Sequence, residues 1–366
     1  MNNNKSVLIA MSGGIDSSVA AFLLKEKGHQ VTGIYFQLTD NKKNNEFNGE
    51  ESGDLPPDRQ RVKKVAQKLD IPLYEVDYRK EFNKIVVDDF IRKYQSGFTP
   101  NPCVLCNEKV KFRLLFNYAL KKGIEFIATG HYVRIKKNQK QDKYLLKRGL
   151  DRKKDQSYFL YRLSTNILSK CIFPLGNFTK RKVEKIACEI GLESSNIKES
   201  QEICFIPGNN YRKLIEQKST RQENNQSGYF VDTSGNILGR HKGVAFYTVG
   251  QRRKIGLSLN TRKYIVRICP KSNNIVIGDE QNLYRRELKL IEVHYISRVP
   301  IMESVKLQVQ IRYNTPPACA TIFPYQKNSL YIIFKEPMRA ITPGQSAVLY
   351  DKDIVVGGGI IGFLDK

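Results

Sequence analysis

The sequence predicts an α/β protein with a doubly wound parallel sheet in its N-terminal half and a small β-barrel at its C-terminus. A continuous apolar run at residues 7–10 is typical of a strand buried on both faces of a parallel sheet. A glycine turn and an apolar-faced helix carrying Val19, Ala20 and Leu24 follow it. After about residue 206, short β-type segments separated by turn residues replace this alternation. We therefore expect domains at residues 1–205, 206–278 and 279–366, the second being a small linking domain.

Further along, the first half continues to alternate strand and helix, which implies right-handed βα crossovers. Apolar runs and helical spacing predict strands at residues 31–36, 73–76 and 125–129 and helices at 62–69, 85–94 and 107–120. The polar stretch 40–58 predicts a loop. In the second half we predict strands at residues 228–232, 264–268, 274–277, 305–313, 330–334 and 347–350.

Composition restricts the class of protein. The chain has 366 residues, is 40% hydrophobic and 27% charged, and so can form packed cores. Its 61 Lys and Arg against 36 Asp and Glu leave a net charge of +25, which favours a polyanionic partner, although a compositional bias toward lysine is an alternative. The uncharged run 354–364 is shorter than the roughly 20 residues of a membrane helix. Seven thinly spread cysteines and no signal-peptide pattern predict a reduced, cytoplasmic protein.

The string Ser12-Gly13-Gly14-Ile15-Asp16-Ser17 lies where the first strand gives way to the first helix. Glycines let the backbone approach a ligand closely, and the helix N-terminus favours a phosphate. The serine hydroxyls add donors, and Asp16 could hold Mg²⁺. An ordinary tight turn is the alternative, but a Walker loop is excluded because the chain has no Gly-Lys-Ser or Gly-Lys-Thr. The string resembles the pyrophosphatase-type loop (PP-loop) of ATP-dependent adenylating enzymes.

Two cysteine-containing strings, residues 99–112 and 199–206, form a second candidate site. Asn107 is a good N-cap residue, so we expect Cys106 at a helix N-terminus, where the dipole, Lys109 and Lys111 favour the thiolate. Half of a zinc site, a dithiol redox pair and simple burial remain alternatives. Burial is the default expectation for the other cysteines, Cys171, Cys188, Cys269 and Cys319.

Taken together, these strings resemble the bacterial tRNA-specific 2-thiouridylase family nearly end to end. The resemblance extends to the segments Ile127–Tyr132, Lys154–Leu160, Tyr247–Arg252 and Thr342–Val348. It implies ATP-dependent 2-thiolation of the wobble uridine of tRNA, through adenylation of the uracil 2-carbonyl. Cys204 would carry the sulfur as a persulfide and Cys106 would act as the nucleophile, leaving a transient Cys106–Cys204 disulfide. A sulfur-relay protein or a cysteine desulfurase would supply the sulfur.

The resemblance also assigns binding residues. ATP, with Mg²⁺, would be bound by Ala10, Met11, Ser12, Gly13, Gly14, Ile15, Asp16, Ser17, Phe36 and Gly130. The anticodon arm of tRNA would be bound by Asn101, Pro102, Cys103, His131, Lys154, Asp155, Gln156, Arg312, Tyr313 and Gln345. From the residues alone, Arg312 and Tyr313 also fit an ordinary alternating strand face.

The chain departs from the family at Cys103, where many relatives carry Asp, a residue suited to a general base. The resulting trio Cys103, Cys106 and Cys204 could hold an iron–sulfur cluster that carries the sulfur instead of a persulfide. Two further alternatives are a PP-loop ligase acting on a small amino-group acceptor and a non-catalytic RNA-binding protein that keeps the nucleotide fold as a scaffold.

Overall fold

The computed structural model describes residues 4–39, 57–138, 143–192, 203–206, 208, 210–218, 227–258, 261–296 and 299–364. Most of the loop predicted at 40–58 and the first half of the string 199–206 lie outside these residues. The chain divides into two compact units. The first comprises residues 1–85, 103–207 and 353–355, and the second comprises 86–102, 208–352 and 356–366. The three domain boundaries expected from the sequence stay a prediction.

The first unit contains the predicted parallel sheet. Its strands, with those of an adjoining hairpin, are β1 (Ser6–Ala10), β2 (Gln30–Gln37), β3 (Leu73–Asp77), β4 (Phe126–Ala128), β5 (Val133–Asn138), β6 (Lys143–Arg148) and β7 (Cys171–Ile172). The order is β3-β2-β1-β4-β7 and the pairings are parallel. With β1 central, residues 7–9 are fully buried, as the continuous apolar run predicts. The strand order reverses beside β1, so the loop after β1 lies at the switch point where α/β sheets bind ligands.

Helices of the first unit accompany this sheet. They are α1 (Ile15–Glu26), α2 (Pro57–Lys68), α3 (Arg79–Phe82), α5 (Pro102–Leu105), α6 (Phe112–Lys121), α7 (Thr165–Lys170) and α8 (Lys180–Glu189); α4 (Asp88–Gln95) belongs to the second unit. The core between sheet and helices includes Val7 and Ile9 of β1, Val19 of α1, Val62 of α2 and Val183 of α8. Each of these positions lies on the apolar face of its element, which explains why the helices pack where they do.

Two predictions for this unit need correction. The helix expected at 107–120 begins at Pro102, because α5 continues through a π-helical turn, Cys106–Lys111, into α6. The helix expected at 85–94 likewise contains a π-helical turn, Asn83–Val87, before α4. Wide turns depend on tertiary packing, so helical spacing alone does not reveal them. The β5–β6 hairpin was also not predicted, because its alternation is masked by lysines.

The second unit is formed mainly by β-strands, with helix α9 (Tyr211–Lys218). A four-stranded sheet has the order β10-β11-β8-β9, from β8 (Gly228–Val231), β9 (Ile237–His241), β10 (Tyr264–Cys269) and β11 (Asn274–Gly278). The remaining strands are β12 (Tyr284–Tyr295), β13 (Val305–Gln310), β14 (Ala318–Pro324), β15 (Leu330–Arg339), β16 (Ser346–Asp351) and β17 (Ile354–Ile361). Pairing of β12 with both β15 and β17 closes them into the predicted barrel.

The uncharged C-terminal run is a barrel strand. In β17, a Cβ at Gly357 would collide with the carbonyl oxygen of His294, and one at Gly359 would lie 2.6 Å from that of Ile291. The glycines therefore let β17 close against β12. Within the described residues, no helix has the length and apolar character needed to cross a membrane.

Candidate active site

The loop after β1 has the geometry of a phosphate cradle. Gly13 adopts φ +75°, a left-handed conformation that disfavours other residues, and a Cβ there would lie 2.7 Å from the Asp58 carbonyl oxygen. Gly14 is the N-cap of α1 and provides no side-chain cap, which leaves the first-turn N–H groups to other acceptors. The Ser17 hydroxyl donates to the Gly14 carbonyl at 3.0 Å and accepts from the Ser12 amide at 3.2 Å. The serines thus fix the loop as well as offering hydroxyl groups.

Asp16 is held by two side chains that the sequence did not suggest. Its Oδ1 accepts a hydrogen bond from the Tyr132 hydroxyl at 2.7 Å and lies 2.9 Å from the Lys180 ammonium. The Lys180 side chain is 12% exposed and that of Asp16 is 33% exposed. The positive charge facing the carboxylate is therefore that of Lys180, which begins α8. Tyr132 belongs to a noted string, whereas no motif marked Lys180.

Two other predicted ATP-binding residues border this loop. A Cβ at Gly130 would lie 2.8 Å from the Ser17 backbone nitrogen and 2.8 Å from the Asp16 carbonyl carbon, so Gly130 allows the loop after β4 to touch the start of α1. Phe36 lies near the C-terminal end of β2 and contacts Tyr78 edge to face, with ring centroids 5.7 Å apart. Ala10 ends β1, and the Met11 amide donates to the Ile34 carbonyl at 2.9 Å. The predicted set therefore lies at the carboxyl edge of the sheet.

The two principal cysteines come together in the first unit. Cys106 is buried in the π-helical turn, and Cys204 is exposed in the short segment 203–206. Helix α3 contacts the π-helical turn that contains Cys106. Burial raises the pKa of Cys106, and the charges of Cys204 and Cys103 act in the same direction. Phe205 anchors the Cys204 segment by packing edge to face on Phe82, with centroids 5.6 Å apart. A cysteine almost a hundred positions downstream thus lies near Cys106.

The prediction that Cys106 is a thiolate is wrong for this conformation. Burial raises the pKa of Cys106 to about 12, and Lys111 offsets this only in part. Cys106 lies inside a continuous helical segment, not at its start, and Asn107 is buried in the same turn rather than being the N-cap. Lys109 lies 2.7 Å from Glu108, which leaves Lys111 as the cation near the sulfurs. The pKa of Lys111 is raised, because the nearby thiolates outweigh its desolvation.

His131 shares this neighbourhood. Burial and the charge of Lys111 lower the pKa of His131 to about 3, so its imidazole is neutral at physiological pH. Its Nδ1 lies 2.8 Å from the Thr129 hydroxyl, and its ring packs on Phe112, with centroids 5.6 Å apart. Cys103 is exposed, yet desolvation of its sulfur raises the pKa. It is therefore a poor general base.

The remaining cysteines do not follow the default of burial. Cys188 and Cys319 are exposed, and Cys171 and Cys269 are half-buried. Among the described residues, no group of three or more His, Cys, Asp or Glu side chains is arranged to hold a metal ion. The cysteine trio as placed thus provides no assembled ligand set for zinc or for an iron–sulfur cluster.

The predicted tRNA-binding residues fall in both units. In the first, Asp155 accepts hydrogen bonds from the Gly149 and Ser157 amides, and Gln156 accepts one from the Tyr132 amide at 3.0 Å. Burial raises the pKa of Asp155, and these bonds fix the turn that contains half-buried Lys154.

Other predicted tRNA-binding residues belong to the second unit. The Arg312 guanidinium donates to the Thr342 hydroxyl at 2.8 Å, and the Gln345 amide donates to the Thr99 carbonyl at 2.8 Å. Tyr313 is half-buried, as is Asn101, and Pro102 is buried.

Comparison with known proteins identifies relatives along the whole chain. A family model described as a tRNA methyl transferase HUP domain matches residues 5–208. A PRC-barrel domain and an aminomethyltransferase β-barrel domain match residues 219–279 and 285–361. Curated relatives named "tRNA-specific 2-thiouridylase MnmA" include that of Clostridioides difficile, 42% identical over 98% of each chain. Those of Acetivibrio thermocellus and Caldicellulosiruptor saccharolyticus are 43% and 44% identical over 98% of this chain, and over 99% and 98% of their own.

Among solved structures, a 4-thiouridine synthetase–RNA complex with bound ATP is 19% identical. It covers 58% of this chain and 50% of its own, with a TM-score of 0.33. The parallel sheet, the glycine cradle and the two β-domains define a class: HUP-domain proteins with C-terminal β-domains. Within it, the chain belongs to the tRNA-specific 2-thiouridylase family.

Proposed function

We propose that the chain is an ATP-dependent enzyme that replaces the 2-oxygen of the wobble uridine in tRNA with sulfur. The observation that carries the proposal is that the Cys204 segment packs through Phe205 on α3, which also contacts the π-helical turn that contains Cys106. Transfer of a persulfide sulfur requires two thiols able to approach each other. The names of the relatives supply the substrate and the modified atom. Convergence of the two sulfurs also argues against a ligase of another branch, which needs no cysteine pair.

The first step activates the uracil. Its O2 attacks the α-phosphorus of ATP, pyrophosphate leaves, and the N3 proton is released, which gives the O2-adenylate. Gly13, Gly14 and the first turn of α1 would bind the phosphates, and Lys180 lies close enough to Asp16 to face them. Mg²⁺ fits Asp16 only together with ATP oxygens, because Oδ1 already meets a phenol and an ammonium. When bound, Mg²⁺ neutralises charge on the phosphates.

The second step transfers sulfur. A donor protein, either a sulfur-relay protein or a cysteine desulfurase, would leave Cys204 as a persulfide, for which its exposure is suitable. Cys106 attacks the Cys204 sulfur, the Cys106–Cys204 disulfide forms, and the terminal sulfur departs as hydrosulfide. Hydrosulfide adds to C2, AMP leaves with the C–O bonding electrons, and transfer of the S–H proton to N3 gives the thiocarbonyl and restores N3–H. An external thiol then supplies two electrons to reopen the disulfide.

The same proposal gives the neighbouring residues their roles. Neutral His131 would contact the extruded base without adding charge, and Lys111 would stabilise the thiolate that forms on Cys106. Cys103 would border the base as a neutral thiol, since its pKa is raised. Lys154, Arg312 and the other family-derived positions would contact the anticodon arm.

Mass analysis of tRNA nucleosides tests the proposal. Enzyme, ATP, tRNA, a persulfide donor and a thiol reductant should yield 2-thiouridine without added iron, in air as well as anaerobically. Cys204→Ser should abolish 2-thiouridine while pyrophosphate release continues, and Cys106→Ser should leave the persulfide on Cys204. Cys319→Ser is the matched control, because Cys319 is an exposed cysteine outside the site.

Three results would contradict the proposal. Thiolation by Cys204→Ser would exclude the persulfide role. Activity that requires protein-bound iron and is lost in air would favour the cluster instead. Binding of tRNA by the wild-type chain with no consumption of ATP would favour the non-catalytic RNA-binding protein.

A further inference from the structure

The second unit contains a cavity of about 690 Å³ with a strongly basic wall. Its lining includes the five cationic residues Arg212, Arg253, Lys254, Arg312 and Arg339. None of the described residues that line it is acidic. A second cavity of about 320 Å³, lined in part by Arg252, Arg262 and Lys263, shares Lys254 with the first. The two cavities thus flank one loop, residues 250–256, which we call the basic loop.

The basic loop is rigidly built. The side chain of Gln251 makes three hydrogen bonds to the backbone. Its Oε1 accepts from the Thr248 amide at 3.2 Å, and its Nε2 donates to the Arg253 and Lys254 carbonyls at 3.1 and 3.4 Å. Backbone hydrogen bonds to Ile265 anchor both sides of Gly250–Gln251. Lys254 itself adopts φ +58°, and Gly250 and Gly256 also have positive φ. Because the carbonyl oxygen and the amide nitrogen of the Gln251 side chain both bind the loop backbone, the cationic side chains of the loop are preorganised for a ligand.

The loop presents charge that the protein does not neutralise. Arg252, Arg253 and Lys254 are exposed, and no carboxylate among the described residues pairs with them. Two other cations of the cavities have carboxylate partners: Arg339 lies 3.3 Å from Glu280, and Lys263 lies 3.0 Å from Asp279. The basic loop therefore differs from them in presenting three consecutive exposed cations.

We propose that the basic loop binds backbone phosphates of the substrate tRNA. The proposal rests on the proposed function for the identity of the RNA. A wall of Arg and Lys with no acid fits a phosphodiester chain, and two cavities that share Lys254 fit consecutive phosphates rather than one anion. Arg312 and Gln345, which the family resemblance assigns to tRNA, line the same cavity. Phosphate contacts position an RNA but carry no sequence information.

The test measures tRNA affinity of the full chain at several salt concentrations, without ATP. The double variant Arg253→Gln with Lys254→Asn removes two charges, and Asn tolerates the left-handed conformation at 254. Loss of two phosphate contacts should flatten the slope of log K against log salt by about 1.4 to 1.8. That change corresponds to roughly 25- to 60-fold weaker binding at 0.1 M salt. A tRNA without a wobble uridine should lose affinity by the same factor.

Two controls make the result specific. Lys306→Gln with Lys327→Gln removes the same charge from exposed positions of the same unit that line neither cavity, and should keep the wild-type slope. Arg253→Lys with Lys254→Arg keeps the charge and should keep the slope as well, which separates charge from folding.

The phosphate site would be overturned if the two charge-removing double variants lost tRNA affinity equally, or if Arg253→Gln with Lys254→Asn left the salt slope unchanged. Neither result would bear on thiolation. Absence of 2-thiouridine with the wild-type chain would overturn the proposed function, and the salt titration would still decide the phosphate site.

Discussion

Gly130 and Gly14 separate two ways in which a glycine can support the phosphate loop. In Gly130→Ala the new Cβ would lie 2.8 Å from the Ser17 nitrogen and the Asp16 carbonyl carbon, whereas ordinary contact begins at 3.4 Å. The start of α1 must therefore retreat by more than half an ångström, which costs about 1–3 kcal/mol as overpacking. In Gly14→Ala the Cβ would lie 3.5 Å from the Ser12 hydroxyl, an ordinary distance, and φ is −87°.

The two variants should therefore differ in the free energy of unfolding of the unliganded protein, but both should bind ATP more weakly than the wild type. Gly130→Ala should lower the free energy of unfolding by about 1–3 kcal/mol, while Gly14→Ala should change it by less than about 1 kcal/mol. Both should weaken ATP binding by about tenfold or more. Gly130→Ala displaces the first turn of α1 and so changes the amide–phosphate distances, whereas the added methyl in Gly14→Ala hinders close approach of a phosphate to the loop backbone. Denaturant titration of the unliganded protein and calorimetric ATP titration measure these quantities. Unchanged ATP affinity in Gly14→Ala would refute the assignment of the phosphates to this loop.

Three further predictions concern charge. Alkylation at pH 8, followed by mass spectrometry, should label Cys188 rapidly and Cys106 slowly, because burial raises the pKa of Cys106 to about 12; equal rates would contradict this. Lys180→Met should reduce pyrophosphate release at least tenfold while Lys180→Arg restores part of it, and unimpaired release by Lys180→Met would exclude a role of the Asp16–Lys180 pair in adenylation. The wild-type free energy of unfolding should fall by up to about 1.4 kcal/mol per pH unit more steeply than that of His131→Asn as pH drops from 6.5 toward 3, because only the unfolded imidazole takes up a proton there; parallel profiles would disprove it.

Local pattern was sufficient for much of the fold. The buried run at 7–10, the glycine turn and the apolar face of α1 each depend on neighbours in sequence, and the structure confirms them. Strand β12 was not predicted, because its apolar residues alternate with charged ones. Strand β14 is uncharged, but its small Ala, Cys and Thr residues form no strongly apolar run. The pairing of Cys204 with Cys106 was predicted from the family resemblance and not from the spacing of residues.

Electrostatics at the site could not be predicted from sequence. Lys180 is 164 positions from Asp16, and no periodicity relates the two. The expected thiolate at Cys106 depended on a helix that begins next to this residue, but the helix begins at Pro102, four residues before Cys106. Burial then raises the pKa of Cys106 by more than the Lys111 ammonium lowers it. Chain neighbours determine local conformation, but the pKa of a thiol depends on which distant atoms exclude water from it.

The Lys111 ammonium, which the three cysteines share, determines when Cys106 can lose its proton. Cys106, Cys204 and Cys103 each act as thiolates to raise the pKa of Lys111. The charge of Cys204 acts to raise the pKa of both Cys103 and Cys106. One positive charge in a desolvated pocket can balance one negative sulfur but not two. While Cys204 bears an anionic persulfide, Cys106 therefore stays protonated. It gains nucleophilic character only when its own proton is transferred, so deprotonation of Cys106 belongs to the attack on the persulfide and not to the resting enzyme.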